Sequence, residues 1–121
     1  MNIKNFVSTV ALLGMSFLAT QAFAHAALEA ASPKPGATLD ASPKEIRLQF
    51  NEQLEATFST IKLSDPKGSD VAGVKVEVDK ADMKVMHAVL PPLPAGAYAV
   101  HWSTMTRDGH KTKGSYTFTV K

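Results

Sequence analysis

Four histidines stand in the chain, at 25, 87, 101 and 110, and their neighbours give them different chemical prospects. Asp108-Gly109-His110 sets a carboxylate and an imidazole two residues apart. Side chains at i and i+2 of an extended segment point the same way, so both groups reach one ion, with Gly109 permitting a bend. The bland alternative is an Asp-Gly turn followed by a surface histidine, a common loop pattern. Glu52, in Asn51-Glu52-Gln53-Leu54, is a further oxygen donor, able to ligate weakly or to accept a hydrogen bond from a ligand imidazole.

His25 is distinguished by its position. Lys4, an apolar run over Phe6–Leu18 and the small residues of Ala22-Phe23-Ala24 read as a secretory signal peptide, residues 1–24, cut before His25. The apolar run is shorter than the roughly 20 residues a membrane span needs. A chain beginning at His25 offers its α-amine and ring Nδ1 to the same ion, a chelate that no internal histidine makes. Both donors must lose a proton, and the reference amine pKa of about 7.7–8.0 lets a metal compete near neutrality. Nitrogen donors joined by a carboxylate oxygen suit Cu(II). Taken alone, His25 is equally a residue left by chance at the cleavage point.

The remaining candidates are softer. Met83, Met86 and His87 carry the thioether and imidazole donors of a Cu(I) site, but an apolar strand more often uses such methionines as core. His101 alternates with Val100 and Trp102 and so faces away from the core, while Met105 suits packing and ligation equally. The Ser, His and Asp residues present form no nucleophile elbow, and there is no Gly-rich phosphate loop or zinc spacing. The absence of Cys excludes a blue-copper thiolate site and any disulfide scaffold.

These groups need a frame. At 121 residues, 45% hydrophobic and 20% charged, the composition fits one small folded domain, here residues 25–121. Removing residues 1–24 takes away one Lys and no acid, leaving a nearly neutral exported chain. That balance gives no sign of a nucleic-acid groove or a strongly acidic partner. Period-two alternation marks strands at Glu45–Phe50, Val74–Val78, Tyr98–Trp102 and Tyr116–Val120, with further strands at Phe58–Leu63 and Met83–Leu90. Pro- and Gly-bearing turns separate them, as in a sandwich or barrel, and Phe50, Tyr98, Trp102 and Phe118 are the expected shared core.

The chain resembles the CopC/PcoC family of periplasmic copper-resistance proteins, YobA-type members included. The likeness is carried by His25-Ala26-Ala27-Leu28 after the signal peptide, Ser32-Pro33-Lys34-Pro35-Gly36 and Leu48-Gln49-Phe50-Asn51-Glu52-Gln53-Leu54. Leu93-Pro94-Ala95-Gly96-Ala97-Tyr98, Trp102, Asp108-Gly109-His110 and Gly114-Ser115-Tyr116-Thr117-Phe118 complete it. The resemblance implies an all-β, seven-stranded Greek-key β-sandwich of cupredoxin-like or immunoglobulin-like shape. It implies one Cu(II) per chain on His25, Asp108 and His110, with Glu52 near the metal. The Met-rich Cu(I) loop of some members is reduced here to Ser64-Asp65-Pro66-Lys67-Gly68-Ser69-Asp70, without sulfur. The expectation is therefore a monomeric, non-catalytic periplasmic protein that sequesters or delivers Cu(II) for copper resistance or homeostasis. Its membrane partner would be a separate CopD-type inner-membrane protein. The competing expectations are a histidine-brace copper oxidase or monooxygenase and a metal-free immunoglobulin-like interaction module.

Overall fold

The computed structural model describes residues 26–121. Eight strands follow one another: β1 Leu28–Ser32, β2 Thr38–Leu39, β3 Glu45–Phe50, β4 Thr60–Ser64, β5 Lys75–Val78, β6 Val85–Val89, β7 Gly96–Met105 and β8 Lys111–Val120. They form two four-stranded sheets, ordered β1-β3-β6-β5 and β2-β8-β7-β4. The chain crosses between sheets at every connection except the β5–β6 and β7–β8 hairpins, as a Greek-key sandwich does. The expected all-β sandwich is present, with eight strands in place of seven. Neither β1 nor β2 is among the six strands marked by alternation; β2 pairs in parallel with β8 over Thr38↔Thr119 and Leu39↔Val120. Two residues are too few to leave an alternation in the sequence.

Alternation decides which side chains meet. In β3, Ile46, Leu48 and Phe50 are fully buried while Glu45, Arg47 and Gln49 are exposed. Leu63, Tyr98, Val100 and Phe118 come from the other sheet, and Tyr98 stacks on Phe118 with ring centroids 5.7 Å apart. The Tyr98 hydroxyl donates to the Pro94 carbonyl at 2.7 Å, satisfying a buried polar group. Trp102 is only half-buried; it meets Phe50 edge-on at 6.1 Å. Met86 is fully buried and Met83 packs against the core, so both methionines act as apolar filling. Phe58–Leu63 was expected as strand from its start, but Ala56–Phe58 is a 3-10 turn that leaves Phe58 61% exposed.

The β7–β8 hairpin is the longest pairing among the described strands. Its ten residue pairs run from Gly96↔Val120 to Met105↔Lys111 without a register shift. The hairpin's closed end, residues 106–110, carries two of the candidate ligands.

Candidate metal centre

The hairpin closes through a short turn. The Gly109 N–H donates to the Thr106 carbonyl and the Thr106 N–H to the His110 carbonyl, each at 2.9 Å. Gly109 takes φ +92°, a left-handed conformation that a Cβ would strain. This is the three-residue hairpin loop with glycine at its left-handed position. Asp108 and His110 therefore meet because the backbone turns between them, and not through extended alternation.

Their side chains are joined. His110 Nδ1 lies 2.9 Å from Asp108 Oδ2, and both side chains are about half exposed. Thr106, 1% exposed, donates its hydroxyl to Asp108 Oδ1. That hydrogen bond is the main cause holding the Asp108 carboxyl below its ordinary value; partial desolvation opposes it, and contacts with His110 add to it. The carboxylate is consequently ionised and aimed before any cation arrives.

A second turn abuts the first. Leu54 bridges Thr106, the Glu55 N–H donates to the Met105 carbonyl at 2.8 Å, and Arg107 Nη1 donates to Gln53 Oε1 at 3.0 Å. Glu52 sits in this turn, half-buried, at the same end of the sandwich as Asp108 and His110. No hydrogen bond or ion pair joins its carboxylate to either one among the described residues. Among those residues no three His, Asp or Glu side chains are grouped closely enough to hold an ion. Asp108 and His110 form a pair that needs a further donor.

His25 and residues 1–24, expected as a signal peptide, lie outside the described residues. The chain that follows His25 is described, and it is tied to both turns. The Thr112 hydroxyl donates to the Ala26 carbonyl at 3.2 Å, and Thr112 Oγ1 is itself 2.9 Å from Thr104 Oγ1. Asn51 clamps Ala27 from both sides: its Oδ1 accepts the Ala27 N–H at 2.7 Å and its N–H donates to the Ala27 carbonyl at 3.1 Å. Ala26 is 7% exposed. Thr106 thus holds Asp108, and Thr112 and Asn51 hold the start of the described chain; none of these roles was identified from sequence. Thr106 carried the only local signal, a hydroxyl two residues before a loop carboxylate.

The other histidines stay apart from this end. His101 faces outward as expected, its Nε2 3.1 Å from Ser64 Oγ. His87 lies opposite Arg47 and Glu77 on its neighbouring strands, on the face away from the buried Met86. Alternation therefore turns Met86 away from it.

Fold and site together define a two-sheet β-sandwich bearing an imidazole–carboxylate pair on its longest hairpin, beside the anchored start of the described chain. Residues 28–121 match the CopC domain, and the chain belongs to that family. It is 36% identical to Protein YobA of Escherichia coli strain K12 over 93% of this chain and 91% of that one. It is 35% identical to Copper resistance protein C of Xanthomonas campestris pv. juglandis over 98% of this chain and 97% of the relative. The crystal structure of PcoC, a methionine-rich copper resistance protein from Escherichia coli, superposes with a TM-score of 0.71 at 39% identity. That match covers 81% of this chain and all of PcoC.

Proposed function

We propose that this protein, exported to the periplasm and cut before His25, binds one Cu(II) as cargo and hands it on or stores it without catalytic turnover. The donors are the amine and ring of His25, the Asp108 carboxylate and the His110 imidazole, with Glu52 close to the ion. One observation carries the reading: Asp108 Oδ2 and His110 Nδ1 stand 2.9 Å apart on a hydrogen-bonded turn. Two donors about 2 Å from one ion and at right angles to each other are separated by roughly this distance. In the metal-free chain a ring proton fills that gap, and the ion replaces it. The anchoring of Ala26 to Thr112 supports the same site, because His25 is covalently next to Ala26 and Thr112 is two residues from His110. Consecutive Cα atoms are only about 3.8 Å apart.

A carrier role fits a ligand set fixed by turns that are hydrogen-bonded to each other. The names of the relatives, copper resistance protein C among them, support copper as the cargo. No helix of the described residues is long and apolar enough to cross a membrane; the partner proposed for the handover is a CopD-type inner-membrane protein. The protein is taken to act as a monomer.

The test is a competitive Cu(II) titration of the chain beginning at His25, with electron paramagnetic resonance at one equivalent. Tight binding with nitrogen hyperfine structure is expected. One extra residue before His25, or His110→Ala, should weaken binding at least a hundredfold while the unfolding midpoint without metal stays put. Undiminished affinity in both variants would place the site elsewhere. Oxygen- or peroxide-dependent oxidation of a glycan would favour the enzyme reading instead.

A further inference from the structure

The nearly neutral net charge conceals an uneven distribution. The strands of the β2-β8-β7-β4 sheet contain no Asp or Glu, whereas they carry Lys62, Lys111, Lys113 and His101. All four point outward and are exposed. Among the described residues the ion pairs are Arg107–Glu55, His110–Asp108 and Lys121–Asp40, and none involves these lysines. On the other sheet, by contrast, Glu29, Glu45 and Glu77 are interspersed with Arg47 and Lys75.

Register brings the basic groups into one surface. Thr60, Ser103 and Lys113 form one row across β4, β7 and β8, and Lys62, His101 and Ser115 form the next. Strand spacing and rise put the Lys62 and Lys113 backbones on the order of 12 Å apart. That is close to the screening length of about 10 Å at 0.1 M salt, so flexible lysine heads act jointly on one anionic ligand. These six residues line a shallow groove of about 540 Å³. Toward the hairpin turn the surface continues over Lys111 and the exposed Phe58, which share the adjoining hollow.

We propose that this face docks an acidic, extended segment of a partner protein. Carboxylates would pair with Lys62 and Lys113, the hydroxyls of Thr60, Ser103 and Ser115 would take hydrogen bonds, and one apolar side chain would cover Phe58. Lysine charges beside the hydroxyls of Thr60, Ser103 and Ser115, with the edge of Trp102 between them, suit an acidic polypeptide, whose carboxylates and peptide groups can meet each in turn. Attachment to an anionic lipid surface usually draws on roughly four to eight clustered basic residues, and this face has three lysines. Lys111 directly follows His110, so the segment would lie beside the end assigned to copper; this consequence, unlike the docking itself, rests on the copper reading.

The experiment titrates ¹⁵N-labelled protein starting at His25 with a synthetic peptide of alternating Glu and Thr ending in Leu, and with the same peptide carrying Gln for Glu. Amide shifts confined to Thr60, Lys62, Ser103, Lys111 and Lys113 are expected with the Glu peptide alone. Affinity should fall at least tenfold in Lys62→Glu/Lys113→Glu, with Cu(II) affinity unchanged. Lys62→Gln/Lys113→Gln provides a gentler version should the charge reversal disturb folding. Shifts spread evenly over Lys34, Lys75 and Lys80, or equal affinity in the variants, would overturn the proposal. So would binding to phosphatidylglycerol vesicles through the same lysines without peptide binding. Loss of Cu(II) binding with the peptide map intact would remove the copper reading and leave the docking face standing.

Discussion

Thr106 decides how Asp108 meets a cation. A buried hydroxyl donating to a half-exposed carboxylate favours the ionised form, so the Asp108 carboxyl is held low. A group whose folded pKa is depressed adds stability above its unfolded pKa, and that stability disappears as pH falls through the folded value. In Thr106→Val the donor is lost while shape is kept, so the Asp108 pKa should rise toward the ordinary carboxylate range. The acid-side stability that this residue contributes should shrink with it. Carboxyl-detected nuclear magnetic resonance between pH 2 and 6 reads the change directly, and an unmoved Asp108 titration would remove Thr106 from the argument. Cu(II) affinity should also fall several-fold, since the carboxylate loses the bond that aims it. The sequence singled out Asp108 and His110 by their spacing, but the extended alternation expected to bring them together is replaced by a turn through Gly109. The supports of the pair were not legible. Asn51 reaches Ala27 across 24 residues and Thr112 reaches Ala26 across 86, and contacts so distant leave no local pattern.

At the level of elements, alternation served well wherever a strand had one wet and one dry face. Glu45–Phe50 was read to the residue, because its exposed and buried positions alternate without exception. β7 and β8 proved longer than expected, since their outer ends carry Thr104, Met105 and Lys111–Lys113, which show weaker contrast. Within this hairpin Gly114 has a packing role that only the register reveals. It lies opposite Trp102, and a Cβ added there would come within 2.2 Å of the indole ring. The indole is in turn held against Phe50, whose strand leads into the Glu52 turn. Gly114→Ala must therefore displace the ring and disturb its edge contact with Phe50, an overpacking that typically costs about 1–3 kcal/mol. Urea unfolding followed by the fluorescence of Trp102, the sole tryptophan, should show the lower midpoint together with a shifted native emission. Unchanged emission and midpoint would mean that the indole has room to move freely.

For the whole molecule, copper binding and folding are linked through the two ends of the proposed site. An amine and imidazole on one terminal residue can chelate Cu(II) in an unfolded chain as well as in a folded one, so that part of the affinity stabilises neither state over the other. Asp108 and His110 differ in this respect, because only the folded hairpin holds them beside the start of the chain. The rise in unfolding temperature on adding Cu(II) accordingly reports the contribution of the hairpin pair, not the total affinity. Each tenfold preference of the folded state for the ion is worth about 1.4 kcal/mol. For a domain of this size, roughly 4–8 °C of midpoint shift accompanies each kcal/mol. Saturating Cu(II) should thus raise the midpoint of the chain starting at His25 by about 10 °C or more, if the pair adds two decades of affinity. Asp108→Ala/His110→Ala should bind Cu(II) measurably through the terminal chelate and yet show almost no shift. A full shift in that double variant would place the folding-linked donors elsewhere at this end of the sandwich, with the Glu52 turn the next to test.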